Sequence, residues 1–584
     1  MEKETRNCQN CKTDFVIEPE DFAFYQKIDV PPPTWCPQCR MVRRFIFRNE
    51  HNLYRRPDSH TGEDIFSTVP KESDAKVYER SFWWSDGWNP LDYGRDIDWN
   101  RPFLEQLKEL MYEVPWPSRS ALNLVNSDYC ANLNGGKNSY LCFHGFDIEN
   151  SAYVIGFSSV KEGFDLYQSR HAELCYDNYM ADEVQRVFFS TNVEESHDIW
   201  FSKNIIGCNN IFGSINLRNK SYYIFNKPVS KEQHKQFMTE FNSGLFKSVE
   251  EMRQKAEELW LQHPNRFTLA INVIDSTGEH IEHCKNVKDS YFIHNGEDMK
   301  HCQMIEDAKD CYDLSIVGRK SELMYDSMVA GVEAQNIKFS FNCVESISNL
   351  EYCVMCFGTA NAFGCVGLKK GEYAILNKKY SKEEYKELVI KLKQHMNDLP
   401  YTDGQGRVYK YGEFLPAEFS PLAYNESLAQ TFFPLTKEEA VAQGYQWRDE
   451  ERRQIEPTIQ AGDLPDNIAD VQDDVLKQII GCQTCGAAFR IIPMELDFYR
   501  NIKLPIPRRC PDCRFARRFR FVNPPVFRLS KCHCSGAKDA SGQYANQVAH
   551  SHGDQPCPNE FETSFREEAK EIIYCEQCYK SETI

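Results

Sequence analysis

The pattern C-x2-C-x24-C-x2-C occurs twice in this chain, once near each end, and it restricts the possible folds more tightly than any other feature of the sequence. Cys8, Cys11, Cys36 and Cys39 make the first copy. Cys482, Cys485, Cys510 and Cys513 make the second, each 474 positions from its partner. The match continues without a gap through Phe15 and Phe489, Pro19 and Pro493, Phe24-Tyr25 and Phe498-Tyr499, Ile28 and Ile502, and Pro33 and Pro507. Beyond the second knuckle, Arg40, Arg43 and Arg44 match Arg514, Arg517 and Arg518. This is a duplicated module of about 40 residues, too small to bury a full core by itself. Two C-x2-C knuckles bring four thiolates together, and Zn²⁺ at ~2.3 Å from each sulfur is satisfied by four ligands. The metal then supplies folding energy that the small core lacks. Four closed sulfur ligands point to structural rather than catalytic zinc. Nearby cations (Arg40, Arg508, Arg509, Arg514) favour the thiolate form. The competing reading is two disulfides or inert thiols.

The stretch CQTCGAAFRIIPMELDFYRNIKLPIPRRCPDCRFARR, residues 482–518, resembles a bacterial family of small zinc-ribbon (treble-clef-like) domains. That family pairs a C-x-x-C, an aromatic stretch and a Phe-Tyr pair with Arg-Cys-Pro-x-Cys-Arg and a basic helix. Residues 8–44 carry the same features with Trp35 in place of the Arg before Cys36. The chain as a whole looks like large zinc-ribbon proteins of candidate-phyla bacteria, for which no activity is established. The resemblance therefore implies an architecture and leaves function open.

A third site follows the second ribbon. Cys532 and Cys534 precede Cys575 and Cys578, and this four-cysteine set is the expected zinc site of the tail. Cys557, His550 and His552 lie between them and are alternative ligands. Two to three structural Zn²⁺ ions are thus expected. At the same 474 offset the N-terminal counterpart has Asp58 and His60 in place of cysteines, and a gap of 22 residues brings Glu79 to the Cys575 position; it reads as a ribbon that has lost its metal, the competing reading being that Asp58, His60 and Glu79 hold a hard ion. The chain has 24 cysteines, many in C-x2-C pairs beside Arg, which in a cytosolic setting favours metal over disulfide. The N-terminus lacks an apolar signal core, and no apolar run approaches the ~18 residues of a membrane helix. A cytoplasmic protein with no membrane partner is expected.

Between about 120 and 380, short apolar runs recur every 11 to 12 residues, as in SYLCF (139–143), SAYVIG (151–156), RVFFS (186–190) and DIWFS (198–202). Asn, Asp, Ser, Gly and Lys separate them. Short strands at even spacing suit a β-solenoid, with a β-sandwich as the rival. Residues 213–233 resemble 364–384 at an offset of 151, so the strand series is itself duplicated. Each copy ends in Asn-Lys and a capping box, Ser230 with Gln233 and Ser381 with Glu384. Ser248 with Glu251 predicts the start of another helix. Cys142, Cys175 and Cys208, spaced by 33, read as a buried ladder, and Cys353-x2-Cys356, with Cys343 and Cys365 nearby, reads as core.

The expected fold class is mainly β with short helices: a central duplicated β-solenoid flanked by N- and C-terminal zinc ribbons. The segments are ribbon 1 (1–56), a degenerate ribbon with an aromatic connector (57–118), solenoid half 1 (119–228), a helical insertion (229–265), solenoid half 2 with its terminal helix (266–396), a connector (397–478), ribbon 2 (479–531) and a zinc-binding tail (532–584).

No nucleotide loop, nucleophile elbow or open zinc motif is present. The net charge of -18 argues against the whole chain being a polyanion binder, but the helices after the second knuckles are locally basic. Arg40, Arg43, Arg44 and Arg48 share one helical spacing, and Arg514, Arg517 and Arg518 repeat its start, with Phe45, Phe47, Phe515 and Phe519 interleaved. Arginine on phosphate with aromatic stacking suits RNA or single-stranded DNA, and an exposed basic face is expected. The opposite reading is that these arginines pair with the acidic middle and hold the termini on it. A protein-interaction scaffold is a further reading. A third is a β-solenoid carbohydrate-active enzyme using Asp165, Glu173, Asp177, Asp182 or Glu183.

Overall fold

The computed structural model describes residues 2–449 and 455–583. Residues 450–454, within the expected connector, lie outside that description, as do Met1 and Ile584. The chain is mainly β, with cysteine clusters at both ends. Two large sheets carry it. The first runs from Ala121–Val125 to Lys227–Pro228, and the second from Ala270–Ile271 to Lys378–Lys379. Their strands pair in parallel with the stretch twelve residues further on: Ala121 with Leu133, Ala131 with Phe143, Tyr179 with Thr191, and Asn209 with Ser221. The second sheet repeats this, with Gly278 on Ser290 and Ser348 on Ala360, and widens to thirteen at Ala308 on Ser321 and Met328 on Phe341.

The sequence predicts strands of about five residues separated by turns. The ladder is instead almost continuous: Phe143–Phe188 is one unbroken paired stretch. The chain changes direction at single residues in the left-handed region, every third position, as at Asn192, Glu195, Asp198, Phe201 and Asn204. Asn and Asp accept this conformation best, and other residues adopt it at a cost of about 1–2 kcal/mol each. Stacking offsets that cost. Asn126 donates to Asn138 and Asn138 to Asn150, and the same ladder runs through Asn192, Asn204 and Asn216. Phe189 lies flat on Phe201, ring centres 4.7 Å apart. Inside, Ser190 Oγ accepts the Ser202 amide and donates to the Phe188 carbonyl, so a buried hydroxyl is satisfied on both sides. Cys142, Cys175 and Cys208 are buried, as expected of core residues. They do not form one ladder, because 33 is not a multiple of the twelve-residue repeat.

Both sheets end alike. Tyr223 pairs back on Pro228 and Ala374 on Lys379, and the two capping boxes then open helices Lys231–Glu240 and Lys382–Asp398. The next helix, Phe246–Leu261, begins two residues before Ser248, which therefore lies inside it and caps nothing.

The terminal modules are docked crosswise. Helix Pro37–Phe45, after the first ribbon's second knuckle, lies on strands Gln303–Val317 and Ser321–Gly331 of the second sheet. Helix Pro511–Phe519 lies on the Phe143–Phe188 stretch of the first. Equivalent aromatics seat the two modules: Phe24 stacks on Tyr312 at 3.9 Å, and Phe498 on Phe164 at 4.1 Å. Connector residues Tyr411, Phe414, Phe419 and Phe432 are buried against this assembly. The tail strand Ile572–Tyr574 pairs with Pro264–Arg266. Among the described residues no helix is long and apolar enough to cross a membrane.

Candidate metal centres

In each of the two terminal four-cysteine clusters the sulfurs lie within 4.8 Å of one another. Cys11 and Cys36 sulfurs are 3.7 Å apart, and Cys485 and Cys510 sulfurs 3.8 Å. A disulfide would need ~2.05 Å, whereas sulfurs ~2.3 Å from a common tetrahedral ion stand about 3.8 Å apart. The knuckles aim amide hydrogens at the sulfurs. Cys36 N–H points to Cys8 Sγ at 3.2 Å, Cys510 N–H to Cys482 Sγ at 3.3 Å, and the Asn10 side chain to Cys39 Sγ at 3.2 Å. These bonds favour thiolate. Hydrogen bonding among the sulfurs holds the Cys8 thiol well below its ordinary value and pushes Cys39 well above it, so the cluster shares its protons unevenly. Burial pushes Cys482 up, but backbone amides of Cys485, Cys510 and Thr484 bring it down to about 6. The donor set and its spacing therefore fit a metal ion in each ribbon.

The tail differs from its expected ligand set. Cys532, Cys575 and Cys578 converge with Cys557, the Cys557 and Cys575 sulfurs being 3.8 Å apart. Cys534 belongs to a neighbouring group with His550, His552 and, again, Cys578. The C-x-C segment follows the extended strand Arg528–Lys531 and lacks the turn of a C-x2-C knuckle, so its two sulfurs enter adjacent groups. The hydrogen bond between Cys532 and Cys575 holds Cys575 down to about 4 and pushes Cys532 well above the ordinary thiol value.

The arginines are not exposed on one face. Arg40, Arg43, Arg44, Arg48, Arg514 and Arg518 are all buried, and the Arg517 side chain is only 16% exposed. The helix is covered on both sides, because Phe45 packs on Phe432 of the connector while the arginines face the sheet. Arg40 reaches Asp313 at 2.7 Å, Arg43 reaches Asp326 at 2.9 Å, and Arg44 spans both carboxylates. At the other end Arg514 and Arg518 reach Asp165, and Arg517 and Arg518 reach Asp177. In each sheet the two aspartates sit one repeat apart at left-handed positions, so their carboxylates line up under one helix. Burial alone would raise the Asp177 carboxyl, but Arg517, Arg253 and Arg518 hold it well below the usual carboxylate range. Arg48 lies past the end of its helix and pairs with Glu50 at 3.0 Å. Of the two readings of these arginines, this geometry is that of docking. Sequence reasoning assigned no partner to Asp313 or Asp326. They stand 148 and 149 positions after Asp165 and Asp177, short of the 151 offset of the strand series' end because steps of the second sheet widen to thirteen residues, which hid the match.

Other candidates, apart from the exposed Glu183, have structural partners. Asp58 accepts backbone amides of His60, Thr61 and Glu79, Glu79 caps helix Arg80–Trp84, and His60 stacks on Phe82. The three do not converge on an ion. Cys343, Cys353, Cys356 and Cys365 are fully buried in the second sheet's interior. Asp165 and Asp177 are sequestered beneath arginines, Glu173 bonds Gln185, and Asp182 bonds His171.

No protein-family signature and no curated protein matches this chain. Among solved structures, a provisionally assigned acetyltransferase from Desulfovibrio desulfuricans G20 aligns with 50% of this chain and 86% of its own, at 10% identity and a TM-score of 0.10. A likeness that weak carries no inference about fold or function.

Proposed function

We infer that this chain is a non-enzymatic scaffold in which structural zinc locks two terminal ribbon modules across a pair of β-solenoids, leaving the outer surface of the solenoids to a macromolecular partner. The observation that carries this reading is the pairing of both arginine sets with buried aspartates on consecutive repeats. A helix whose cations are neutralised internally is a clamp, and breaking such a buried pair costs about 3–5 kcal/mol. The solenoid assignment is supported by the constant twelve-residue parallel register. Zinc is supported by all-sulfur tetrads at tetrahedral spacing, and the structural role by the absence of an open position in a four-thiolate site. The ribbon resemblance fits the same picture. Free thiols throughout the chain suit a reducing compartment such as the cytoplasm. The partner is taken to be a protein, since the arginines that would contact nucleic acid are engaged.

Limited proteolysis of the zinc-loaded chain, with and without a chelator, tests the clamp. Metal removal is expected to expose cleavage sites in the terminal modules and in residues 455–478 while the β body stays resistant. An unchanged pattern would discard the reading. Filter binding separates the partner classes. Retention of RNA or single-stranded DNA that falls steeply with salt, as counterion release demands, would return the nucleic-acid reading.

A further inference from the structure

The geometry points to two zinc ions in the C-terminal tail, bridged by the Cys578 thiolate, so that the chain carries four zinc ions in all. This rests on the reading that the cysteine clusters hold zinc. Seven side chains form two groups of four with one member in common: Cys532, Cys557, Cys575 and Cys578 on one side, and Cys534, His550, His552 and Cys578 on the other. Each group is compact, its ligand atoms lying within 4.8 Å of one another. Each fits tetrahedral zinc, the first as a four-sulfur site and the second as a two-sulfur, two-nitrogen site.

The second group has the supporting bonds of a metal site. A zinc-bound imidazole gives its other ring N–H to a carboxylate or carbonyl, which fixes the tautomer. His550 faces Cys534 Sγ through Nδ1 at 3.2 Å, and its Nε2 meets the buried Glu582 carboxylate at 2.8 Å. His552 faces Cys578 Sγ through Nε2 at 3.3 Å, and its Nδ1 meets the Gln555 carbonyl at 2.7 Å. Both ring N–H groups are thereby directed away from the cluster, and both lone pairs toward it. Cys534 Sγ also accepts the Asn546 side-chain N–H at 3.2 Å, and Cys575 Sγ accepts that of Asn559 at 3.3 Å. These bonds suit thiolates.

The shared residue decides the count. An ion in the first group holds Cys578 as thiolate, with no proton to give. For the neutral ring, His552 Nε2 then confronts that sulfur with its own lone pair at 3.3 Å, a repulsive contact that is relieved either by a proton on Nε2 or by a metal ion between them, and the ion count distinguishes the two. A second zinc converts it into two bonds. Two Zn²⁺ against five thiolates and two neutral imidazoles leave one negative charge, fewer than the two left at a four-thiolate ribbon. Two ions each ~2.3 Å from one sulfur at a tetrahedral angle would stand about 3.8 Å apart.

Native mass spectrometry of the full zinc-loaded chain is expected to show four zinc ions. Three would overturn the second tail ion while leaving the zinc reading of the clusters intact, and two or fewer would overturn zinc in the tail altogether. The bridge is read separately by substituting spin-½ cadmium and recording its NMR spectrum. Two tail resonances split by mutual coupling through the shared sulfur are expected, beside two unsplit ribbon resonances. Four bound ions without splitting would overturn the bridge. In the double variant His550→Ala, His552→Ala the count should fall to three and the splitting should vanish. The ribbon resonances, unchanged, would report that the rest of the chain is folded. Retention of all four ions in that variant would exclude the two histidines as ligands and overturn the assignment.

Discussion

Arg44 concentrates the residue-scale energetics. It has no exposed surface and lies between two carboxylates, Asp313 and Asp326. Arg44→Ala leaves both carboxylates short of a partner and should cost about 3–5 kcal/mol, read as an earlier urea midpoint. Arg55, in the same basic run, is exposed over Phe66, and Arg55→Ala should cost under about 1 kcal/mol. Equal midpoints for the two variants would remove the docking role. Protonation gives a second reading. Burial holds His280 down to about 3, so the folded state keeps it neutral while the unfolded chain titrates near 6.5. Below that pH the unfolded state binds the extra proton, and stability falls as pH drops from 6.5 toward 3. Asp177, depressed by its arginines, contributes stability that is full above the unfolded value of 3.8 and is lost below it. His280→Phe should therefore flatten the upper part of the acid limb in a urea-midpoint series, and Asp177→Asn the lower part.

Among elements, the three-residue kink is the unit of the sheets. Asn204 holds a φ of 56°, accepts from Asn192 and donates to Asn216. Asn204→Ala loses both the ladder and the tolerance for that backbone and should cost about 1–3 kcal/mol. Asn204→Gly keeps the backbone freedom and loses only the ladder. The alanine variant should therefore melt below the glycine variant, and the reverse order would mean that the left-handed positions carry no strain. The helices that close each sheet obey simpler rules. Ser381 accepts the Glu384 amide while Glu384 returns to the Ser381 amide, a reciprocal pair readable from four residues of sequence.

At the scale of the whole molecule, the crosswise docking couples each end of the chain to the distant half. The N-terminal cysteine module covers Asp313, Tyr325 and Asp326 of the second sheet, and the C-terminal one covers Asp165 and Asp177 of the first. Deleting residues 1–56 should speed amide hydrogen exchange over 303–331 and leave 143–188 protected, since local stability follows local burial. Uniform loss of protection would mean that the two sheets unfold as one unit.

The two terminal four-cysteine clusters and the duplication were legible in the sequence because knuckle geometry is local: two cysteines three positions apart and a repeat of that turn suffice to bring four sulfurs together. The capping boxes and the mainly β character were legible for the same reason. The three-residue kink was not, because Phe, Leu and Tyr occupy left-handed positions beside Asn and Asp and hide the period. The tail's division of sulfur and nitrogen donors into two groups was only half legible. Cys557, His550 and His552 were visible as donors, but which sulfur faces which imidazole depends on how strand, loop and helix meet. The direction of the arginines was decided by tertiary structure alone. A basic helical face looks the same whether phosphate or aspartate lies opposite, and the aspartates that neutralise it stand 269 to 353 residues away in sequence, brought beneath it by the stacking of repeats.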